Sequence, residues 1–147
     1  MLNASTWDKK GDNMPFVNTQ AGGSNFAFPD VCLTPAPPAP PIPIPYPNTS
    51  MPNTAIPNQF KIFTMAMPDH NLQTTVPISN GDNPGVGLNP VSGMVMGPTK
   101  HIVGSFKVFK VGMPATKMLS MTGQNGMSPG ALGSTLAPSQ TKVMILS

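Results

Sequence analysis

The most constraining feature of this sequence is a proline-rich segment in its first half. Residues 29 to 57 contain 11 of the 20 prolines, and the densest part, residues 35 to 48, reads PAPPAPPIPIPYPN. Proline has no backbone N–H and holds φ near −65°, so these residues cannot form a helix or a central strand of a sheet. We therefore predict an extended segment, with polyproline II or turn geometry.

The rest of the composition favours an all-β chain. Only 9% of the 147 residues are charged, and Arg and Glu are absent. Because helix-favouring polar residues are scarce while Pro and Gly number 20 and 14, coiled coils and helical bundles are excluded. Short alternating segments between turn residues predict strands at 60–65, 72–78, 91–96, 101–111, 115–121 and 141–146. Residues 133 to 136 fit a short helix as well, and no internal repeat is evident.

The domain organisation is simple. Residues 1 to 25 are predicted to be a polar arm with Trp7 and Phe16 as candidate anchors, and residues 26 to 147 one domain. No apolar run reaches the ~20 residues of a membrane span, and the N-terminus lacks the layout of a signal peptide. The net charge of +3 comes from scattered lysines without Arg, so nucleic-acid binding is not expected.

Few residues offer catalytic or metal-binding chemistry. The chain has one cysteine, Cys32, and two histidines, His70 and His101. A Cys–His pair supplies a nucleophile and a base, so a metal- or Cys-dependent hydrolase using Cys32 with His70 or His101 is the alternative function. The same residues are the candidate metal ligands, although their spacing matches no zinc motif. Cys32 lies in an apolar stretch, where a buried inert thiol is the usual outcome, so we expect no enzyme.

Two other features indicate interactions with partner proteins. The proline run contains P-x-x-P, which fits a ligand of SH3 or WW modules, but no basic residue flanks it, and a rigid structural segment is favoured. Twelve methionines are present, and methionine either fills gaps in a core or forms adaptable contact surfaces. Together with the low charge, they favour a subunit of an assembly over a free enzyme.

Two motifs stand in order at a short separation. The first is FPDVC, formed by Phe28, Pro29, Asp30, Val31 and Cys32; the second is PIPYPN, formed by Pro43, Ile44, Pro45, Tyr46, Pro47 and Asn48. Together they resemble the signature of PAAR-like domains, which cap the spikes of type VI secretion systems and related contractile injection machines. Residues 79 to 85, 91 to 97 and 105 to 108 extend the resemblance, which covers about residues 26 to 126.

The resemblance implies a small conical all-β domain, a structural spike tip rather than an enzyme. Its base would sit on a trimeric VgrG-like spike, with one tip per trimer. The tip would sharpen the spike for membrane puncture and carry a toxin effector. It would be cytoplasmic during assembly, then ejected, contacting the target membrane only transiently. Few residues follow the matched region, so a stand-alone tip is expected. The predicted spike-binding side chains are Phe60, Ile62, Met65, Ile102, Phe106, Val108 and Phe109.

Zinc is the point at which the sequence departs from the family. PAAR proteins proper hold zinc near the apex, typically with three histidines and one cysteine. This chain has two histidines in all, and Gln124 stands where relatives have His. The PAAR tetrapeptide is also absent. We therefore expect a metal-free tip stabilised by packing, with Cys32, His70 and His101 as the only candidate ligands if zinc binds.

Overall fold

The computed structural model describes residues 16 to 146, which form an antiparallel β structure without an α-helix. Its elements are β1 (Ser24–Ala36), β2 (Ala39–Ser50), a 3-10 turn (Pro52–Thr54), β3 (Phe63–Thr64), β4 (Met67–Pro68), β5 (Thr75–Val76), β6 (Ser79–Asn80), β7 (Thr99–His101), β8 (Phe109–Lys110), β9 (Met113–Pro114), β10 (Met121–Gln124) and β11 (Ala131–Ala137). Seven strands form one sheet in the order β5-β7-β10-β11-β1-β2-β6, and β3-β4 and β8-β9 are separate hairpins. The all-β prediction is confirmed. Within the described residues, no helix has the length and apolar character needed to cross a membrane.

The proline-rich segment is β2, which pairs with β1 near the edge of the sheet. Ile44 lies opposite Cys32, and only Thr49 and Ser50 at the far end of β2 pair with β6. Alternate N–H groups of a strand point the same way, so the prolines at 41, 43, 45 and 47 lack only the N–H groups on the side away from β1. The intervening residues keep the donors that β1 needs. The prolines thus leave an edge that cannot donate hydrogen bonds to another strand.

This arrangement predicts opposite outcomes for two neighbouring substitutions. Ile44→Pro removes a donor to β1 and should lower the free energy of unfolding by about 2 kcal/mol or more. Pro45→Ala keeps every inter-strand bond and should cost at most about 1 kcal/mol, through the greater freedom of the unfolded chain. Urea unfolding measures both, and Ile44→Ala separates the side-chain loss from the N–H loss. Equal effects of Ile44→Pro and Ile44→Ala would contradict the assigned pairing.

A bulge in β1 changes which residues face inward. Asn25 and Ala27 are buried before it, whereas Asp30 and Cys32 are buried after it. The pairing with β2 shifts between Ala27 and Asp30, where Phe28 and Pro29 together stand opposite the single residue Pro47, so β1 carries one extra residue there and Phe28 is exposed. Without this bulge, strict alternation would point Asp30 and Cys32 toward solvent.

Three parts of the chain share one local structure, and we call them corners. Corner 1 is residues 59 to 71, corner 2 is residues 105 to 117, and corner 3 combines residues 140 to 146 with residues 16 to 19. Each starts with a Gln or Ser whose side-chain oxygen accepts the backbone N–H groups two and three positions later, at 2.7 to 3.3 Å. These oxygens belong to Gln59, Ser105 and Gln140, and the donors are Lys61 and Ile62, Lys107 and Val108, and Lys142 and Val143. The chain then returns antiparallel, through β3-β4, through β8-β9, and through the bridge between Phe16 and Met144.

The corners pair with one another in a closed ring. The three bridges join Thr19 to Asp69, Asn71 to Ala115, and Lys117 to Val17. Three backbone hydrogen bonds follow the same cyclic order, from the N–H of Gln20 to Pro68, of Leu72 to Pro114 and of Met118 to Phe16, at 3.0, 2.9 and 2.7 Å. The ring therefore has pseudo-three-fold symmetry, and the prediction that the chain holds no internal repeat is wrong. The signal in the sequence is QFKIF at 59, SFKVF at 105 and QTKVM at 140.

The interior is unusually polar. The buried side chains include 26 polar or charged residues and 9 hydrophobic ones. A small apolar cluster of Val17, Ala115 and Ile145, with Val108 packed against it, lies between corners 2 and 3. Buried polar groups are costly unless they are hydrogen-bonded, so the fold depends on side-chain hydrogen bonds more than on apolar packing.

Several local predictions differ from the structure. Of the predicted strands, 60–65 is strand only at 63–64, 72–78 only at 75–76, and 101–111 only at 101 and 109–110, while 115–121 and 141–146 contain isolated bridges and the first residue of β10. Residues 91 to 96 form turns and not a strand, because Asn89 Oδ1 accepts the N–H of Val91 at 2.7 Å and Gly93 has φ of 66°. The segment at 133 to 136 lies in β11 and is not a helix. Of the predicted arm, residues 1 to 15, with Trp7, lie outside the described residues, whereas Phe16 belongs to corner 3.

Candidate functional site

Each corner of the ring exposes large apolar side chains. Two side chains per corner stand out, with between 46% and 82% of their surface exposed: Phe63 and Met65, Phe109 and Val111, and Met144 and Leu146. They occupy equivalent positions relative to the Gln or Ser that starts the corner. No methionine belongs to the buried core of residues 16 to 146. Methionine was expected either to fill gaps in the core or to form contact surfaces, and in the corners it forms an exposed contact surface.

The turns at the tips of corners 1 and 2 are strained. Met65 and Ala66 have φ of 54° and 63°, and Val111 and Gly112 have φ of 53° and 76°. Two successive positive φ values characterise the tight hairpin turn that matches strand twist, and this turn favours Asn and Gly. Met, Ala and Val in this region each cost on the order of 1 kcal/mol, and such strain clusters at functional surfaces. The tips of these two corners therefore carry apolar residues although the backbone conformation there favours Asn and Gly.

The structure places the predicted spike-binding residues mainly on two of the three corners. Phe60, Ile62 and Met65 lie on corner 1, Phe106, Val108 and Phe109 lie on corner 2, and Ile102 follows β7 outside the ring. All are exposed except Val108, which packs on the apolar cluster. Corner 3 was not predicted, because its two strands come from opposite ends of the described chain.

An open groove of about 320 Å³ beside Phe106 is lined by Val103, Leu119 and Met121, among others.

The residues of the two sequence motifs meet in a second, buried site. The Asp30 carboxylate accepts hydrogen bonds from three asparagine amides: Asn48 at 2.7 Å, Asn89 at 2.7 Å and Asn125 at 3.2 Å. Cys32 Sγ lies 3.5 Å from Asp30 and 3.8 Å from Asp82, whose carboxylate also accepts the N–H of Met96. Gly85 packs against Cys32 so closely that a Cβ there would lie 2.2 Å from Cys32 Cβ. This carboxylate cluster joins β1, β2, the loop between β6 and β7 and the loop between β10 and β11.

Burial and like charges keep protons in this cluster. Burial, followed by the charges of Asp30 and Asp82, raises the pKa of the Cys32 thiol to about 12. Burial also raises the pKa of Asp82, with the neighbouring Asp30 adding to the shift and the Met96 N–H opposing it. Cys32 is therefore a neutral thiol at neutral pH, which is neither a good nucleophile nor a ready metal ligand.

The donor set of the cluster does not fit the zinc site of PAAR proteins. The possible ligand atoms of Asp30, Cys32 and Asp82 lie within 4.8 Å of one another, but no histidine joins them in the described chain. Amide N–H groups already occupy the Asp30 oxygens. Asn89 and Asn125 cannot turn their oxygens inward, because these accept backbone N–H groups from Val91 at 2.7 Å and Gly97 at 2.9 Å. A cation would thus meet donors where it needs acceptors.

The histidines are buried at the corner ring, where His70 belongs to corner 1 and His101 contacts corner 3. His101 Nε2 is 3.1 Å from Asn18 Nδ2 and 3.0 Å from Thr135 Oγ1. His70 is close enough for its charge to affect the pKa of His101. The hydrogen-bond partners of Cys32 are Asp30, Asp82 and Asn125. The Cys–His arrangement that the hydrolase hypothesis requires is therefore not formed within residues 16 to 146.

Comparison with known proteins agrees with the two motifs. A family model described as the toxin PAAR-like domain matches residues 23 to 131. No curated protein and no solved structure matches the chain. The matched region contains β1, β2, the whole carboxylate cluster and corners 1 and 2, and it covers about three quarters of the 147 residues. The resemblance seen in the sequence is confirmed, and the chain belongs to the toxin PAAR-like domain family.

Proposed function

We propose that this chain is the structural tip of a contractile injection apparatus and caps a trimeric VgrG-like spike, one tip per trimer. The closed ring of three corners carries the proposal. A three-fold symmetric partner presents the same surface three times, and one chain can match it only by repeating its own contacts about an axis. The equivalent apolar pairs at the three corners supply such a repeated surface. The tip would assemble in the cytoplasm, leave with the spike and carry a toxin effector.

The mass of the complex with a trimeric VgrG-like spike protein tests this proposal, and we expect one chain per three spike subunits. Phe63→Asp and Phe109→Asp should each weaken binding at least about 100-fold, because an aspartate would have to be buried against apolar surface. Val91→Asp is the matched control, since Val91 is at least as exposed as Phe63 and Phe109 but lies in a loop outside the corners. A well-folded chain that forms no complex with the spike would refute the capping role.

We also propose that the tip folds without zinc. The amide-filled carboxylate cluster and the separation of Cys32 from the histidines support this. A chelator such as EDTA should leave the melting temperature unchanged, and purified protein should contain well under one zinc ion per chain. Removal of a structural zinc would instead unfold a domain of this size. A stoichiometric metal, or a drop in melting temperature on chelation, would contradict the proposal.

A further inference from the structure

The exposed charges of the described chain form a simple pattern. The acids Asp30, Asp69 and Asp82 are all buried, and within residues 16 to 146 the one ion pair joins Asp69 to the buried Lys110. Lys100 and Lys117 are partly buried. Three charged side chains in this part of the molecule are exposed, and all are cations: Lys61, Lys107 and Lys142.

These three lysines occupy the same position in the three corners. Each follows by two residues the Gln or Ser that starts its corner, and that side chain accepts the backbone N–H of the lysine. The distances are 2.9 Å at Lys61, 3.3 Å at Lys107 and 2.7 Å at Lys142. The lysine backbones are therefore held in equivalent geometry, next to the apolar tips. Elsewhere, the three corners differ at many positions, including 60, 106 and 141, which carry Phe, Phe and Thr.

Resting on the proposed capping function, we infer that the three lysines are the charge contacts of the cap. Each one pairs with a carboxylate that the trimer repeats on its three subunits. A ring of equivalent cations with no exposed acid among the described residues is complementary to an acidic, three-fold symmetric rim. Ion pairs at the edge of an interface speed association and exclude wrong partners more than they add affinity. The apolar tips would supply most of the affinity, and the lysines would guide the cap onto the spike axis.

The test uses the full chain and the trimeric spike protein, with association and dissociation rates measured between 50 and 500 mM NaCl. The association rate of the unmodified chain should fall as salt rises. The triple variant Lys61→Gln, Lys107→Gln, Lys142→Gln should bind about tenfold more weakly at low salt, mainly through slower association, and should lose most of the salt dependence. Lys100→Gln, which removes a charge outside the corners, is the control and should bind within about twofold of the unmodified chain.

The single variants Lys61→Glu, Lys107→Glu and Lys142→Glu provide a sharper criterion. Because the partner is three-fold symmetric, the three should weaken binding to the same extent, within about threefold of one another. A 1:3 complex whose rates ignore salt and the triple substitution would overturn this inference and leave the capping role intact. Absence of any complex with the unmodified chain would instead refute the capping role. If the triple variant lost affinity only for vesicles of anionic phospholipid, the lysines would serve a membrane surface and the inference would be wrong.

Discussion

Asp30→Asn is expected to lower the free energy of unfolding by at least about 3 kcal/mol, or roughly 10 °C in melting temperature. The carboxylate of Asp30 accepts the amides of Asn48, Asn89 and Asn125 in a buried site. A hydrogen bond to a buried charge contributes more than a neutral one, and an unpaired buried donor costs about 1–3 kcal/mol. The new amide would place its own N–H groups against donors, and Asn89 and Asn125 are fixed by their backbone bonds. This loss is a large part of a typical stability of about 5–15 kcal/mol.

Asp82→Asn is the matched control in the same cluster. Burial raises the pKa of Asp82, so this carboxyl holds a proton more readily than an ordinary aspartate. Asparagine resembles the protonated acid in shape and charge, and its oxygen can still accept the Met96 N–H. We therefore expect Asp82→Asn to cost clearly less than Asp30→Asn. Chemical denaturation of both variants under the same conditions gives the comparison. If Asp82→Asn were as damaging as Asp30→Asn, the three amide hydrogen bonds of Asp30 would not be what distinguishes the two residues.

The sequence identified Asp30, Cys32 and Asn48 as motif residues, but it did not identify Asn89, Asn125 or any of the contacts. Asp30 belongs to the first motif and Asn48 to the second, and both were recognised as parts of one signature. Their 2.7 Å hydrogen bond depends on the β1–β2 register and on the bulge at Phe28 and Pro29. A local pattern does not specify either one, because both are set by pairing between distant residues. The contact of Cys32 with Asp82, 50 positions later, is likewise set by the fold alone.

The corner ring shows a different limit of sequence analysis. Alternation indicated β segments at 60–65 and 101–111, and corners 1 and 2 contain the two-residue strands β3 and β8 there, although residues 102 to 108 are not strand. Corner 3 escaped recognition because its return strand, at residues 16 to 19, precedes the other corners in the chain. The repeat is therefore circularly permuted with respect to the sequence. In linear order the three corners share only a short pattern, which is Lys, then Ile or Val, then Phe or Met. Because the three corners share so few residue types, their equivalence is seen only in their backbone hydrogen bonds.

The buried histidines predict that the fold is lost in mild acid. Burial lowers the pKa of His70 to about 4, with Asp69 opposing the shift and Lys110 adding to it. Burial and the charge of His70 lower the pKa of His101 to about 3. In the unfolded chain both would titrate near 6.5, so the folded state binds fewer protons below this pH. Their contribution to stability is therefore complete above about pH 6.5 and is lost as the pH falls toward 4.

Two histidines acting together reduce stability by up to about 3 kcal/mol per pH unit, or on the order of 6 kcal/mol between pH 6.5 and 4. Asp82 acts in the opposite direction. Its pKa is raised in the folded state, so Asp82 increases the stability of the folded state as the pH falls through that raised pKa. Denaturant midpoints measured from pH 7 to 4 should fall steeply, and His101→Gln, which keeps a polar side chain without the titration, should flatten the slope by about one proton. NMR titration of the unmodified protein gives an independent check, since neither imidazole of the folded chain should take up a proton above about pH 5. A folded protein in which either histidine titrates near pH 6.5 would show that burial does not control its proton affinity.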